Sequence, residues 1–599
     1  MRRPEGHGWS APVWLGVWFG LLAGLGEGLY VVMRGRLLLE PVSGFPEANR
    51  AVVWTIPLSL ALTFGALGLV LALASRLWRR RPAERAAVAL FAFLLTLSWV
   101  SVPARVHWIA ALVLSLGVAV QVLMLASPRM GVFVPYVRRS VPRGVLLVVA
   151  IAVVQVGLLP LVARYRLHRA PAPESATNVV LIVLDTQRAD HLALYGYDRP
   201  TSPELERLAG TAVTFDAAYS PSGWTFPSHA SLFTGKMFPG QHLGSRLRNP
   251  LDSRETTLAE TLLGAGYNTS AFAGNLLYAN PKLGLGQGFL TWSGLEVSPW
   301  SVMLSPWLNR SVRKLILKLT GGPPFSQFPR SADDVNRAFL SWLDGRPAGR
   351  PFFTFLNYFD VHSPYGAPAP FAGRYRSDPK PLWLTKGTGS KAYTAAELAR
   401  FRDAYDEEIA YLDSRMGELF DALAARGLLD STVVVLTADH GEQFGEHGHL
   451  DHGQNIYTVL THVPLMVWLP GGRQGGRRVG ATVGTLDIAA TVLDVLGIEG
   501  DVGGSSFTDL LGDDAARLRP AYSYTDGFRA DRRSVVWNGW HYIETDSAAA
   551  ELYYLPEDPG EVTDRIGSAP RGLLNELRGR MEVAFGAPEP GALVLNRGR

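Results

Sequence analysis

At 599 residues the chain has room for one large domain and a substantial second region, and an apolar content of 47% is high for a soluble globule, which argues against a purely cytosolic protein. The net charge of +4 hides an asymmetry: residues 1–170 carry 18 basic against 5 acidic side chains, and the other 429 carry 39 against 48. There is no cysteine, so disulfides, zinc-thiolate sites and a thiol nucleophile are excluded, while the redox compartment stays open.

Five apolar stretches fill the basic region, 12–33, 51–75, 86–104, 106–126 and 144–163, each long enough to cross a hydrocarbon core. Arginines alternate with them: Arg2 and Arg3 come first, then Arg76, Arg79, Arg80, Arg81 and Arg85, then Arg129, Arg138, Arg139 and Arg143. The positive-inside rule puts those three groups in the cytoplasm, and an odd number of crossings puts residue 165 onward outside. No small-residue cleavage site follows the first stretch, which disfavours a cleaved signal peptide. Glu27 lies inside the first stretch. An intramembrane carboxylate marks either a functional site or a pairing within the bundle.

Residues 170–175 read as an Ala/Pro linker, after which 178–184 is a continuous apolar, β-branched run, the pattern of a strand buried on both faces. Two similar runs follow at 352–358 and 432–437. Between them Tyr405, Ile409, Leu412, Met416, Leu419 and Leu423 lay one apolar stripe along a helix. Strands alternating with helices predict an α/β fold with a mostly parallel sheet. Asp185 follows the first strand, Asp360 and His362 the second, Asp439 and His440 the third, so acids and imidazoles gather at the carboxyl edge where such sheets bind ligands. From about residue 520, short aromatic runs at 534–537, 541–543 and 552–555, broken by Asn-Gly and Asp-Pro turns, predict a small antiparallel appendage.

Two segments carry chemistry. At 224–235 Thr225 stands just before a proline-led helix start, where free amides and the positive dipole end favour an anion; the threonine is placed as a nucleophile or metal ligand, or it simply caps the helix. At 437–453 four histidines and four acids fall within 17 residues spaced by glycines, a ligand-rich loop or a solvated polar one. His362 taken alone is as compatible with a structural as with a catalytic imidazole.

Asp185-Thr-Gln-Arg-Ala-Asp-His191 with Tyr195-Gly-Tyr197, the Thr225 segment, Asp439-His440-Gly441, Val463-Pro-Leu465 and the run 551–561 together resemble the sulfatase-like branch of the alkaline phosphatase superfamily, in order, over about 178–563. The resemblance implies a metal-dependent enzyme on phosphate or sulfate esters. In it Asp185, Thr225, Asp439 and His440 hold the metal, Thr225 is the nucleophile, and His229, His362, His452 and Asn275 surround the ester oxyanion. A divalent ion would lower the hydroxyl's pKa while imidazoles donate to the remaining oxygens, and attack in line would give a phosphothreonine that water or an alcohol resolves.

Two departures matter. Sulfatases proper carry Cys or Ser at the position of Thr225, which becomes formylglycine, and threonine cannot form that aldehyde. They also tend to carry two adjacent aspartates at the first metal motif, where this chain has Asp185 and Thr186. A Zn or Mn site therefore fits the ligand set better than Ca or Mg. A threonine nucleophile with this metal set is similar to lipoteichoic acid synthases, lipid A phosphoethanolamine transferases and nucleotide pyrophosphatase/phosphodiesterases, the first two of which also hang the domain outside a bundle of spans.

The expected organisation is a five-span region over 1–170, a linker at 171–177, a sulfatase-like α/β domain over 178–512 and a C-terminal part over 513–599 with antiparallel strands and a terminal helix. The segment 299–319 mixes Trp300 and Trp307 with Arg310, Arg313, Lys314 and Lys318 among leucines, the composition of an interfacial helix presenting a lipid headgroup to Thr225, or of an amphipathic helix covering the sheet. The expected protein is a multi-pass plasma-membrane enzyme with an extracytoplasmic catalytic domain, acting on a phosphoester of an envelope lipid or glycan. A sulfate-ester hydrolase and a catalytically silent scaffold are the alternatives. The short basic run at 473–478 on an acidic domain does not point to nucleic acid.

Overall fold

A computed structural model describes residues 10–585 apart from 38–51, 78–82, 103–105, 159–160, 163–164, 166–176, 239–249, 294–298, 305, 321–329, 347–348, 385–392, 513–517, 527–530 and 547. The expected linker and Arg2, Arg3, Arg79, Arg80 and Arg81 lie outside the described residues. The chain forms two compact units, one of Met1–Tyr165 with Leu295–Phe328, the other of Arg166–Gly294 with Pro329–Arg599.

The first unit holds helices α1 (Ala11–Leu37), α2 (Val52–Leu77), α3 (Ala83–Ser101), α4 (Trp108–Ala126) and α5 (Met130–Val153). Among the described residues four helical stretches are long and apolar enough to cross a membrane, where five were expected, because no loop parts the last two: Ser127–Arg129 is a 3-10 turn inside one run, Trp108–Val153, of 46 residues. That run is about twice what one crossing needs. Its second half follows α1 upward from that helix's start: Arg138 donates to Ser10 Oγ at 3.2 Å, and Val148 packs with Leu21 and Ala61. Gly16, Gly20 and Gly24, four residues apart on α1, face the backbone of α2. A Cβ there would come within 2.2 Å of Phe64 O, 2.3 Å of Leu60 O and 2.3 Å of Pro57 Cα. Close backbone approach through small residues is how helices associate where lipid removes the hydrophobic drive between them. The segment 299–320 forms helices Pro299–Leu304 and Trp307–Thr320, which pack on α2 and α3.

The second unit is built on an eight-stranded sheet in the order β10-β2-β9-β6-β1-β5-β3-β4. The strands are β1 (Asn178–Leu184), β2 (Val213–Tyr219), β3 (Asn268–Ala273), β4 (Thr291–Ser293), β5 (Phe352–Tyr358), β6 (Thr432–Ala438), β9 (His462–Trp468) and β10 (Arg477–Gly484), with a two-residue ladder of β7 (Gln443–Phe444) and β8 (Leu450–Asp451) beyond β6. The sheet is mixed: β9 runs antiparallel to β2 and β6, and the other pairs are parallel. Val180, Ile182 and Leu184 of β1 enter one core, Val179, Leu181 and Val183 the other, which is why the run reads as continuously apolar. The three strands anticipated from sequence, β1, β5 and β6, are neighbours at the centre, so their carboxyl ends lie side by side.

Four antiparallel strands, β11 (Ala521–Asp526), β12 (Asp531–Trp537), β13 (Trp540–Thr545) and β14 (Glu551–Tyr554), form the small C-terminal sheet. Asn538 and Gly539, with φ of 49° and 78°, make the tight β12–β13 turn. Leu577 and Met581 of the helix Arg571–Phe585 close this sheet over Val535, Tyr542 and Leu552.

Candidate active site and metal centre

Asp185 leaves β1, Asp439 leaves β6, and both carboxylates are fully buried. Ligand atoms of Asp185, Asp439 and His440 lie within 4.8 Å of one another. Thr225 opens the helix Thr225–Thr234, all ten residues of which are buried, and its Oγ1 is 3.2 Å from His440 Nε2. His440 Nδ1 donates to Gly441 O at 2.8 Å, which leaves Nε2 as the lone-pair nitrogen facing the threonine and the two acids.

Asp439 is held by backbone. Its Oδ1 accepts from Thr186 N at 3.1 Å and His440 N at 2.9 Å, and its carbonyl accepts from the hydroxyls of Ser220 and Ser228. Thr186 adopts φ of 59°, uncommon for a β-branched residue, with its hydroxyl donating to Asp185 O and Val361 O. The second position of the metal motif thus lends its amide to Asp439 and turns its side chain away. Asn275 Nδ2 donates to Asp185 Oδ2 at 2.7 Å, so the structure places it against a metal-ligand candidate.

Three buried polar atoms here have no hydrogen-bond partner among the described residues: Asp185 Oδ1, Asp439 Oδ2 and His229 Nε2. Burial, and then the Asp185 charge, push Asp439 well above the usual carboxylate range. Burial, and then His452, push His440 well below the usual imidazole value, and burial lowers His229. Two buried acids packed together, beside imidazoles that burial keeps neutral, fit a divalent metal site. The residues fit the ion: Asp185, Asp439, His440 and Thr225 would hold it. Bound there, a divalent ion supplies charge neutralisation to an ester oxyanion and acidifies a coordinated hydroxyl.

His229 is fixed by Nδ1 donating to Thr225 O at 2.7 Å, one helical turn back. His440, His452 and His362 form a row, with ring centroids 4.5 Å and 5.0 Å apart. His362 stacks on Phe359 at 4.3 Å and bonds Ser363 O through Nδ1. Asp360, which could have joined a second metal site, is turned elsewhere: its Oδ1 accepts from Ala332 N at the start of the helix Ala332–Gly345, and burial pushes it up to about 7.

Sequence reasoning missed Glu442. Fully buried, it accepts from Tyr365 OH at 3.0 Å and holds His452 Nδ1 at 3.1 Å, with Asp451 beside it. Its place three residues after Asp439 and ten before His452 was visible, but which acid of the loop meets which imidazole depends on the loop's path. Glu442→Ala is expected to lower kcat by about tenfold to a hundredfold, the range typical when an orienting partner is lost, with Glu442→Gln recovering most of it. Steady-state kinetics of the two variants check this. Arg188 braces the same loop through Asp190 at 2.7 Å, Glu446 at 2.8 Å and Glu442 O at 3.0 Å.

Gly441 is set by close approach. A Cβ would stand 2.1 Å from Val459 O, and its N–H donates to Leu460 O at 2.8 Å. Gly441→Ala is therefore expected to destabilise the fold by about 2–3 kcal/mol and to displace His440, read as a lower melting temperature together with lost turnover. The rest of the 185–197 motif serves the fold: His191 and Tyr197 bond Asp406 at 2.7 Å and 2.8 Å, and Tyr195 OH donates to Phe215 O while accepting from Leu465 N.

A hydroxyl at a helix start beside an imidazole, with two acids delivered by adjacent strands next to that imidazole, is an arrangement compatible with metal-assisted ester cleavage. The sequence model of the Sulfatase family matches residues 177–498, more than half of the chain. The chain belongs to that family, within the alkaline phosphatase superfamily of enzymes acting on sulfate and phosphate esters. It is 24% identical over 460 residues to an arylsulfatase of Clostridium perfringens, covering 68% of this chain and 95% of the relative. To the multifunctional alkaline phosphatase superfamily protein PehA of Trinickia caryophylli it is 26% identical over 390 residues, 54% of this chain and 74% of the relative. The solved phosphonate monoester hydrolase of Agrobacterium radiobacter shares the fold with a TM-score of 0.54 and 21% identity, over 68% of this chain and 95% of that one.

Proposed function

We propose that the protein is a membrane-anchored metal enzyme that hydrolyses or transfers a phosphoester of an envelope lipid or glycan, with Thr225 as nucleophile. The observation that supports this reading is Thr225 itself: its hydroxyl lies at a helix start, 3.2 Å from His440 Nε2, and a threonine cannot be oxidised to an aldehyde hydrate. Thr225 Oγ1 bonds to phosphorus as the ester oxygen leaves. His229, His452 and His362 face the developing charge; the Thr225 hydroxyl gives up its proton on attack while the departing oxygen takes one up, so that none is gained or lost, and water or an alcohol then attacks phosphorus, breaks the phosphothreonine bond and returns a proton to Thr225. A nitrogen ligand from His440 beside two carboxylates favours Zn or Mn.

An extracytoplasmic catalytic unit is supported by where the segment 299–320 packs. Its partners are Glu27 in the second half of α1, itself bonded to Ser98 near the end of α3, and Ser59, near the start of α2. Those three points share one end of the bundle, opposite Arg76 and Arg85 at the other ends of α2 and α3. The upward course of α5 beside α1 supports a fifth crossing ending at that same side. The arylsulfatase relatives favour sulfate esters as a second reading. Turnover of an aryl phosphodiester against an aryl sulfate by the full chain in detergent, with Mn or Zn, tests the choice: dominant phosphodiester turnover supports the proposal, and dominant sulfate turnover replaces it.

A further inference from the structure

Glu27 is buried at 1% exposure within α1, and its carboxylate joins distant parts of the chain. Oε2 accepts from Ser98 Oγ of α3 at 2.7 Å, and Oε1 accepts at 2.6 Å from the backbone N–H of Trp307, the first residue of the helix Trp307–Thr320. A helix's first amides have no partner within the helix and sit at its positive end, so a carboxylate is the group that satisfies them best. A second tie lies two residues on: Asn309 Nδ2 donates to Ser59 Oγ at 3.0 Å, Thr63 Oγ1 at 3.0 Å and Met303 O at 2.7 Å, while Ser59 Oγ donates to Met303 O at 3.1 Å. Leu308 packs into the bundle core.

Past that first turn the helix turns apolar and exposed. Val312, Leu315, Ile316 and Leu319 are 50%, 57%, 53% and 76% exposed, at the spacing of one helical stripe, with Arg313 at its edge. That stripe belongs to the same compact unit as Leu114 and Leu116 of α4, which are 50% and 61% exposed on a candidate span. Apolar surface of this extent, continuous in kind with a span's lipid face and edged by Arg313, matches a membrane surface with anionic headgroups.

We propose that Glu27 is an intramembrane latch that seats the helix Trp307–Thr320 in the plane of the membrane surface, with Val312, Leu315, Ile316 and Leu319 in the lipid and Arg313 among the headgroups. The latch rests on the membrane reading of the first unit but not on the reaction assigned to Thr225. In the chain this helix interrupts the catalytic unit between β4 and the helix Ala332–Gly345, so the latch also ties that unit's chain to the membrane at an internal point as well as at its start.

The absence of cysteine makes each introduced thiol unique. The full chain, in nanodiscs of mixed phosphatidylcholine and phosphatidylglycerol, carries a nitroxide at Leu315→Cys, Leu319→Cys or Arg313→Cys, with Leu116→Cys as a span reference. Labels at 315 and 319 are expected to collide at least about fivefold more with oxygen than with a water-soluble nickel chelate, the contrast of a side chain immersed 5–10 Å, while the label at 313 reverses that preference. Adding Glu27→Leu should release the helix, so the 315 label narrows and its preference moves toward the chelate, with turnover of a soluble ester unchanged. Ser98→Ala with Asn309→Ala gives the same reading should Glu27→Leu fail to fold. Equal water access at 315 and 313 overturns the surface placement, and an unmoved 315 label in both latch variants overturns the role of Glu27. Water access at Leu116 as well would overturn the membrane reading beneath both, whatever the esterase result.

Discussion

Thr225→Ala is expected to lower turnover of an aryl phosphodiester by about 10⁴-fold or more, the scale of losing a nucleophile that acts as a unit with its partners. The side chain is fully buried, yet only its hydroxyl meets the site, and alanine creates no clash, so the melting temperature should change little. Thr225→Ser keeps the oxygen and loses the methyl that limits χ1, and should stay within about tenfold of the parent. A phosphorylated peptide containing Thr225, trapped by acid quench and read by mass spectrometry, would be present in the parent and absent from the alanine variant. Full activity in Thr225→Ala would remove the threonine from the chemistry and leave the metal to activate water directly.

Asp439→Asn should act with opposite sign in metal-free and metal-loaded protein. Without an ion, two buried carboxylates face each other, and Asp439 bears the cost of ionising in burial beside Asp185. The amide keeps an oxygen for the bonds from Thr186 N and His440 N, removes that charge, and should stabilise the chelated protein by about 1–3 kcal/mol. With Zn or Mn present the parent should win, because the carboxylate is a ligand and the amide a poor one. The pH dependence of the chelated parent follows from the same shift. A carboxyl raised on folding costs nothing below its unfolded value near about 3.9, and destabilises increasingly as pH climbs from there toward the folded value. Metal-free protein should therefore melt higher at acid pH than at neutral pH, and saturating metal should reverse the order. Calorimetry with and without chelator, on parent and variant, measures both; an effect of Asp439→Asn of the same sign in the chelated and the metal-loaded protein would mean that no cation belongs between these acids.

Much of the architecture was legible because burial writes itself into patterns of few residues. The runs that became β1, β5 and β6 are apolar throughout since both faces of the central strands are covered, and the acids after them fall at strand ends by chain order alone. The antiparallel β9 was not legible, because an apolar run of seven residues carries no sign of direction. The break between the last two expected crossings differed for a related reason: the arginines after residue 128 mark where charge lies, while the backbone through Ser127–Arg129 continues as a tight helical turn where a loop was expected.

Asp185, Thr225, Asp439 and His440 could be gathered from sequence because each follows a strand or opens a helix, positions where backbone direction fixes side-chain direction. Glu442 and Asn275 could not be assigned their places, since what each touches is settled by a loop's course: one holds His452, the other Asp185. Glu27 shows the division most plainly. Its charge amid apolar residues is a property of the sequence, and the cost of leaving such a carboxylate unmatched follows from physics alone. That its partner is the amide of Trp307, 280 residues away, only the tertiary structure decided, because a backbone N–H has no signature in the sequence and is freed only where a helix begins.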